Sequence, residues 1–188
     1  MLNVISGLLS GGAAPVVDTA YESIATAVGT GSSATLSFTS IPSTYKHLQI
    51  RYISRSTAGS AGLSGIQVSA NSDTTSGNYS YHRIVGDGSS ASAYGQSGLD
   101  YIGLNSNSAN TSGMYAVGVL DILDYTSTNK GKTFRILTGA DLNNTLGIIT
   151  LRSQGWFATP AAITRIDLTT STGNFDSNSS FALYGIKG

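Results

Sequence analysis

The sequence contains no cysteine. That excludes a disulfide framework, a thiolate zinc site and a cysteine nucleophile. Histidine is almost as scarce. Only His47 and His82 occur, too few for a multi-histidine metal centre. Charge is thin as well: ten Lys and Arg balance ten Asp and Glu, and only 11% of the 188 residues are charged. The net charge of zero leaves no basic footprint for nucleic acid. The apolar run Leu2, Val4, Ile5, Leu8 and Leu9 is too short to span a bilayer. It also lacks the basic n-region of a signal peptide, although the small residues after it resemble a cleavage site.

What remains is apolar enough to fold, at 40% of residues, and its length fits one domain. Ser, Thr, Asn and Gly make a surface that is polar without being charged. Near-zero net charge favours association over repulsion, which fits a protein packed against other proteins.

The spacing of Leu2, Ile5 and Leu8/Leu9 predicts one face of a two-turn helix. So short a helix persists only when docked. Gly7, Gly11, Gly12 and Pro15 then read as a flexible link. The chain therefore divides into an arm, residues 1–20, and a single body, residues 21–188.

The body shows no helical period. Short alternating apolar runs recur between Gly, Ser, Asn and Asp clusters. Strands are predicted over 22–28, 35–40, 47–55, 65–70, 79–85, 99–104, 114–123, 133–138, 147–153, 163–169 and 180–186. In the third, Leu48, Ile50 and Tyr52 alternate with His47, Gln49, Arg51 and Arg55. The run 114–123 is apolar at both parities, so a strand covered on both sides is expected there, with a neighbouring subunit as one source of that cover. Asn129-Lys130-Gly131 signals a turn, and 54–65, 72–78, 86–98 and 105–113 read as longer loops. Eleven strands without helices predict an all-β fold, an antiparallel β-sandwich of jelly-roll-like kind.

Chemical motifs are weak. Gly29–Ala34 and Gly86–Ala91 match a dinucleotide fingerprint by letter, but neither lies between a strand and a helix. Neither histidine lies in a nucleophile elbow; His82 falls on the strand face opposite Tyr79, Tyr81 and Val85. Asp121 and Asp124 are expected to cap the turn into 125–129 through its backbone amides. Asp73, Asp87 and Asp100 lack the spacing of a calcium loop. N-x-Ser/Thr triplets at Asn78, Asn110, Asn143 and Asn178 are no more than chance gives in a chain so rich in Ser and Thr. No catalytic residue, metal or cofactor is expected. Tyr dominates the aromatics, with ten against five Phe and the lone Trp156, and Tyr serves interfaces and sugar-binding surfaces.

Six stretches carry a family resemblance. They are Tyr21–Thr26 (YESIAT), Ser40–Arg51 (SIPSTYKHLQIR), Asn78–His82 (NYSYH) and Asp121–Thr133 (DILDYTSTNKGKT). Ala162-Ile163-Thr164 with Gly173-Asn174-Phe175 is the fifth, and Ser179–Gly188 (SSFALYGIKG) the sixth. In this order they resemble a family of tailed-bacteriophage virion proteins, which would have an aromatic where Gly131 stands. The resemblance implies a β-sandwich subunit on the phage particle, decorating the head or forming part of a tail fibre, and supplies no catalytic residues.

Together with the low charge and the arm, this leads to a non-enzymatic capsid decoration or cement protein. It would bind junctions of the major capsid protein on the virion surface as a homo-oligomer, a trimer at three-fold positions, without nucleic acid or membrane. Leu2, Val4, Ile5, Leu8, Leu9, Arg51 and Arg55 are the expected partner-binding residues. The alternative is a receptor-binding tail-fibre tip, an adhesin holding host polysaccharide with Tyr79, Tyr81, Tyr94 and Tyr101.

Overall fold

A computed structural model describes residues 20–142 and 147–188. The expected arm residues Leu2, Val4, Ile5, Leu8 and Leu9 lie outside them, as does Asn143. The described chain forms twelve strands and one 3-10 turn, Ser76–Asn78. The strands are β1 Tyr21–Val28, β2 Thr35–Phe38, β3 His47–Ser56, β4 Leu63–Ala70, β5 Tyr79–Gly86 and β6 Ala91–Ser97. Then follow β7 Tyr101–Asn107, β8 Ala116–Leu123, β9 Lys132–Asp141, β10 Gly147–Trp156, β11 Ile166–Thr170 and β12 Ser180–Ile186.

The strands form two layers. One has eight in the order β1-β12-β3-β8-β9-β10-β5-β6, all antiparallel. The other has four, β2-β11-β4-β7, also antiparallel. The end of β3 joins them through a two-residue parallel pairing, Arg55 with Ser106 and Ser56 with Asn107. The chain crosses repeatedly between layers, as in jelly-roll-like sandwiches, and the predicted all-β class stands.

Period-two alternation builds the core between the layers. Leu48, Ile50, Leu120, Ile122, Phe134, Ile136, Phe181 and Leu183 come from the large sheet. Ile66, Val68, Ile102, Ile166 and Leu168 oppose them from the small one. Phe181 stacks on Tyr52 at 5.1 Å between centroids, and Phe175 meets Phe181 edge-on at the same distance. The Tyr52 hydroxyl crosses the gap and accepts the Leu104 N–H at 3.1 Å, and Gln154 donates to the Val68 carbonyl at 2.8 Å.

The structure corrects two expectations. Residues 86–98 are not a loop: a tight turn, in which Asp87 accepts the Ser89 and Ser90 N–H groups, leads into β6. The β6 sequence shows no apolar alternation because both of its faces are exposed. Within one chain, strand β8 is covered on one side, and Val117, Val119 and Leu123 lie open on the other. The Asp121 and Asp124 side chains do not cap the following turn. Asp121 pairs with Arg135 at 2.8 Å and accepts from Gln49, while Asp124 holds Lys46 and Lys130.

Candidate docking face

Three adjacent strands of the large sheet, β8, β9 and β10, carry apolar residues at both parities. One set fills the core, so the other must face outward. Cross-strand register then gathers the outward set into two rows. Ile84, Leu151, Leu137 and Val119 stand opposite one another across β5, β10, β9 and β8. In the next row Ile149, Gly139, Val117 and Ile53 run from β10 to β3. These side chains are exposed, Ile149 at 60%, Ile84 at 59%, Val117 at 53% and Leu137 at 52%. Scattered surface hydrophobes are ordinary, but a contiguous apolar tract marks an interaction surface.

The tract has relief. Gly139 contributes no side chain between Val117 and Ile149, leaving a depression of about 410 Å³ bounded by Arg51 and Leu137. A second groove, about 570 Å³, lies toward β6 between His82, Ile84, Leu151 and Arg135. The His82 ring rests on Gly95, its cross-strand partner, where a Cβ would overlap it. Among the described residues that line this groove, none is a carboxylate. Among the described residues, no three His, Asp or Glu cluster closely enough to hold a metal.

Charges frame the tract at one corner. Arg51 is exposed opposite Val119, its guanidinium 5.6 Å from the ring centroids of both Tyr21 and Tyr184. Its Nε donates to Gln49 at 2.8 Å, which continues to Asp121 and Arg135. At the strand end, hydrogen bonds and charge from Lys130 and Lys46 pull the Asp124 carboxyl down to about 2. The His47 Nδ1 accepts the Asp124 N–H there, at 3.0 Å.

The other expected site residues divide. Arg55 is 7% exposed, and its guanidinium donates to the carbonyls of Ser108, Asn110, Thr111 and Met114. It pins the loop before β8 and is not free for a partner. Tyr79 is buried too. Its hydroxyl donates to the Asp73 carbonyl and accepts the Ala70 N–H, and burial pushes its pKa up to about 12. Tyr81 is buried but packs 6.0 Å from Tyr94, which lies half exposed under Arg83 at 5.3 Å. Tyr101 stands on β7, and its carbonyl accepts a hydrogen bond from Arg152. The Tyr101 side chain packs over Gly65 of β4, so only Tyr81 and Tyr94 meet at the β5–β6 edge, and Tyr79 and Tyr101 do not join them.

Sequence reasoning missed Ile53, Ile84, Leu137, Ile149 and Leu151. The signal was available: β9 and β10 repeat, more weakly, the two-parity apolarity that β8 shows. Comparison with protein-family models, curated proteins and solved structures gave no match.

Proposed function

We propose that this protein is a non-enzymatic building block of a larger particle, docked through the outer face of its eight-stranded sheet. The observation that carries this reading is the contiguous tract of Ile84, Leu151, Leu137, Val119, Val117 and Ile53, which a lone subunit leaves in water. Burying it releases about 25 cal/mol for each Å² of apolar surface removed from water. Many copies, each contributing a modest area, hold by multivalency.

The family resemblance supports a finer reading. The particle is a tailed bacteriophage and the partner its major capsid protein, with the apolar tract seated over junctions between capsid subunits as a decoration or cement protein. Arg51, already aligned by Gln49, Tyr21 and Tyr184, lies beside the tract and can meet a partner carboxylate.

The tyrosine edge favours the second reading, a tail-fibre tip that binds host polysaccharide. Tyr94 presents a half-open ring with a hydroxyl bonded to Gln96 at 2.5 Å, the mixture of stacking surface and polar tip that sugars use. Immunogold electron microscopy of the intact particle separates the two. Gold spread over the head supports decoration, gold confined to the tail tip supports the adhesin, and unlabelled particles overturn both.

A further inference from the structure

Each open edge of a β-sheet is a template for another strand unless something blunts it. The two layers have four such edges: β1, β6, β2 and β7. Three are blunted. Strand β1 carries a register shift between Ser23 and Ala25, and Glu22 bonds Tyr45 and Lys187 beside it. Strand β2 has only four residues. The β7 edge is closed by side chains: Leu104 donates to Tyr52 and accepts from Ser54, and Tyr101 accepts from Arg152.

Strand β6 has none of these devices. Its seven residues, ASAYGQS, contain no charge and no proline, and all are exposed. Two hydrogen bonds fix the phase of its pairing with β5. Gly98 donates to Tyr79 at 2.7 Å at one end, and Asp87 donates to Ser90 at 3.2 Å at the other. Antiparallel ladders alternate between bonded and non-bonded pairs. Gln96, Tyr94 and Ser92 therefore spend their backbone groups on β5. The N–H and C=O groups of Ala91, Ala93, Gly95 and Ser97 point the other way.

We propose that a second copy of this chain pairs with β6, antiparallel, about a two-fold axis through Tyr94. The register follows from which groups are free. Ala91 meets the partner copy at Ser97, and Ala93 meets it at Gly95, each pair exchanging both N–H···O bonds. Tyr94 then faces its own symmetry mate in a non-bonded pair, where side chains approach most closely. Gln96 faces Ser92. The strand is self-complementary because it has no charge to repel its copy, and its outward side chains, Ala91, Ala93, Gly95 and Ser97, obstruct nothing. The pairing also joins the apolar rows of two subunits into one face, because Ala93 stands next to Ile84 in the first row. It gives two-fold contacts where the sequence led us to expect three-fold ones.

The inference does not rest on the virion reading, and its failure would leave the docking face untouched. Sedimentation of the chain should show a concentration-dependent species of twice 19.3 kDa. Ala93→Pro removes an N–H that the monomer does not use. It should leave the melting temperature unchanged and raise the dimer Kd at least about tenfold. Ser92→Pro removes a bond to β5 and should lower the melting temperature. Because the chain has no cysteine, Tyr94→Cys should oxidise to a disulfide-linked dimer, and Gln96→Cys, whose partner is Ser92, should not. A chain that stays monomeric up to about millimolar concentration overturns the proposal. So does a dimer that survives Ala93→Pro, or equal crosslinking at 94 and 96. If Ala93→Pro fails to fold, the two cysteine variants decide the matter.

Discussion

The Tyr52 ring lies flat against Gly118, its cross-strand partner on β8, so closely that a Cβ at 118 would overlap the ring. From there the Tyr52 hydroxyl contacts Thr138 at 2.8 Å and accepts the Leu104 N–H of the opposite layer. One side chain thus ties three strands, and it fits only because its neighbour has no side chain. Gly118→Ala should cost about 1–3 kcal/mol by overpacking. Urea denaturation should show a lower midpoint with an unchanged slope.

Removing only the hydroxyl tests the other end of that contact. Tyr52→Phe keeps the ring on Gly118 but leaves the buried Leu104 N–H without its acceptor. A loss of about 1–3 kcal/mol is expected, with faster exchange of the Leu104 amide.

Arg55 should behave as a structural residue. Arg55→Lys cannot reproduce a planar fork on four carbonyls. It should destabilise the fold by about 2–4 kcal/mol, the scale of buried acceptors left unpaired. Proteolysis should then cut first between residues 108 and 114. Arg51→Lys, at an exposed position, should change stability by less than about 0.5 kcal/mol.

The acid limb of stability should depend on Asp124. Lys130 and Lys46 hold its folded pKa near 2, below the ordinary ~3.9 of an unfolded aspartate. A depressed carboxyl contributes stability that is complete above about pH 4–5 and disappears as pH falls through the folded value near 2. Asp124→Asn should lose this contribution at neutral pH and converge with wild type toward pH 2. Both lysines are more than half exposed, so added salt should narrow the gap between the two proteins.

The outer face should be dispensable for folding. Leu137→Asp places a carboxylate among Val119, Leu151 and Ile149, where each neighbour is open to water. The melting temperature should move little. Binding of a hydrophobic dye, and co-sedimentation with the intact particle, should both fall.

The strand pattern was legible wherever one face of a strand is buried. Leu48, Ile50 and Tyr52 alternate with polar residues, and β3 begins at His47 as predicted. Strand β6 was illegible for the converse reason, because a strand with no buried face leaves no period in its sequence. The role of Arg55 was hidden too. Its spacing places it on the outer face with His47 and Arg51, but nothing local says that a loop more than fifty residues later folds over it. Gly131 shows a similar limit. The resemblance predicts an aromatic there, and in this chain the Trp156 carbonyl comes within 3.0 Å of where a Cβ would stand.

The place of β12 has a consequence in time. It lies between β1 and β3, so Tyr21 pairs with Ile186 and His47 pairs with Ile186 from the other side. The first strand and the third both wait for the twelfth. During synthesis, a ribosome that has delivered 170 residues has delivered no partner for β1, and for β3 it has delivered β7 and β8 but not β12. Contacts between residues so distant in sequence make folding slow. This body therefore closes only after its final strand has emerged, and a chain stopped short of Ser180 leaves β1 with no place in the sheet.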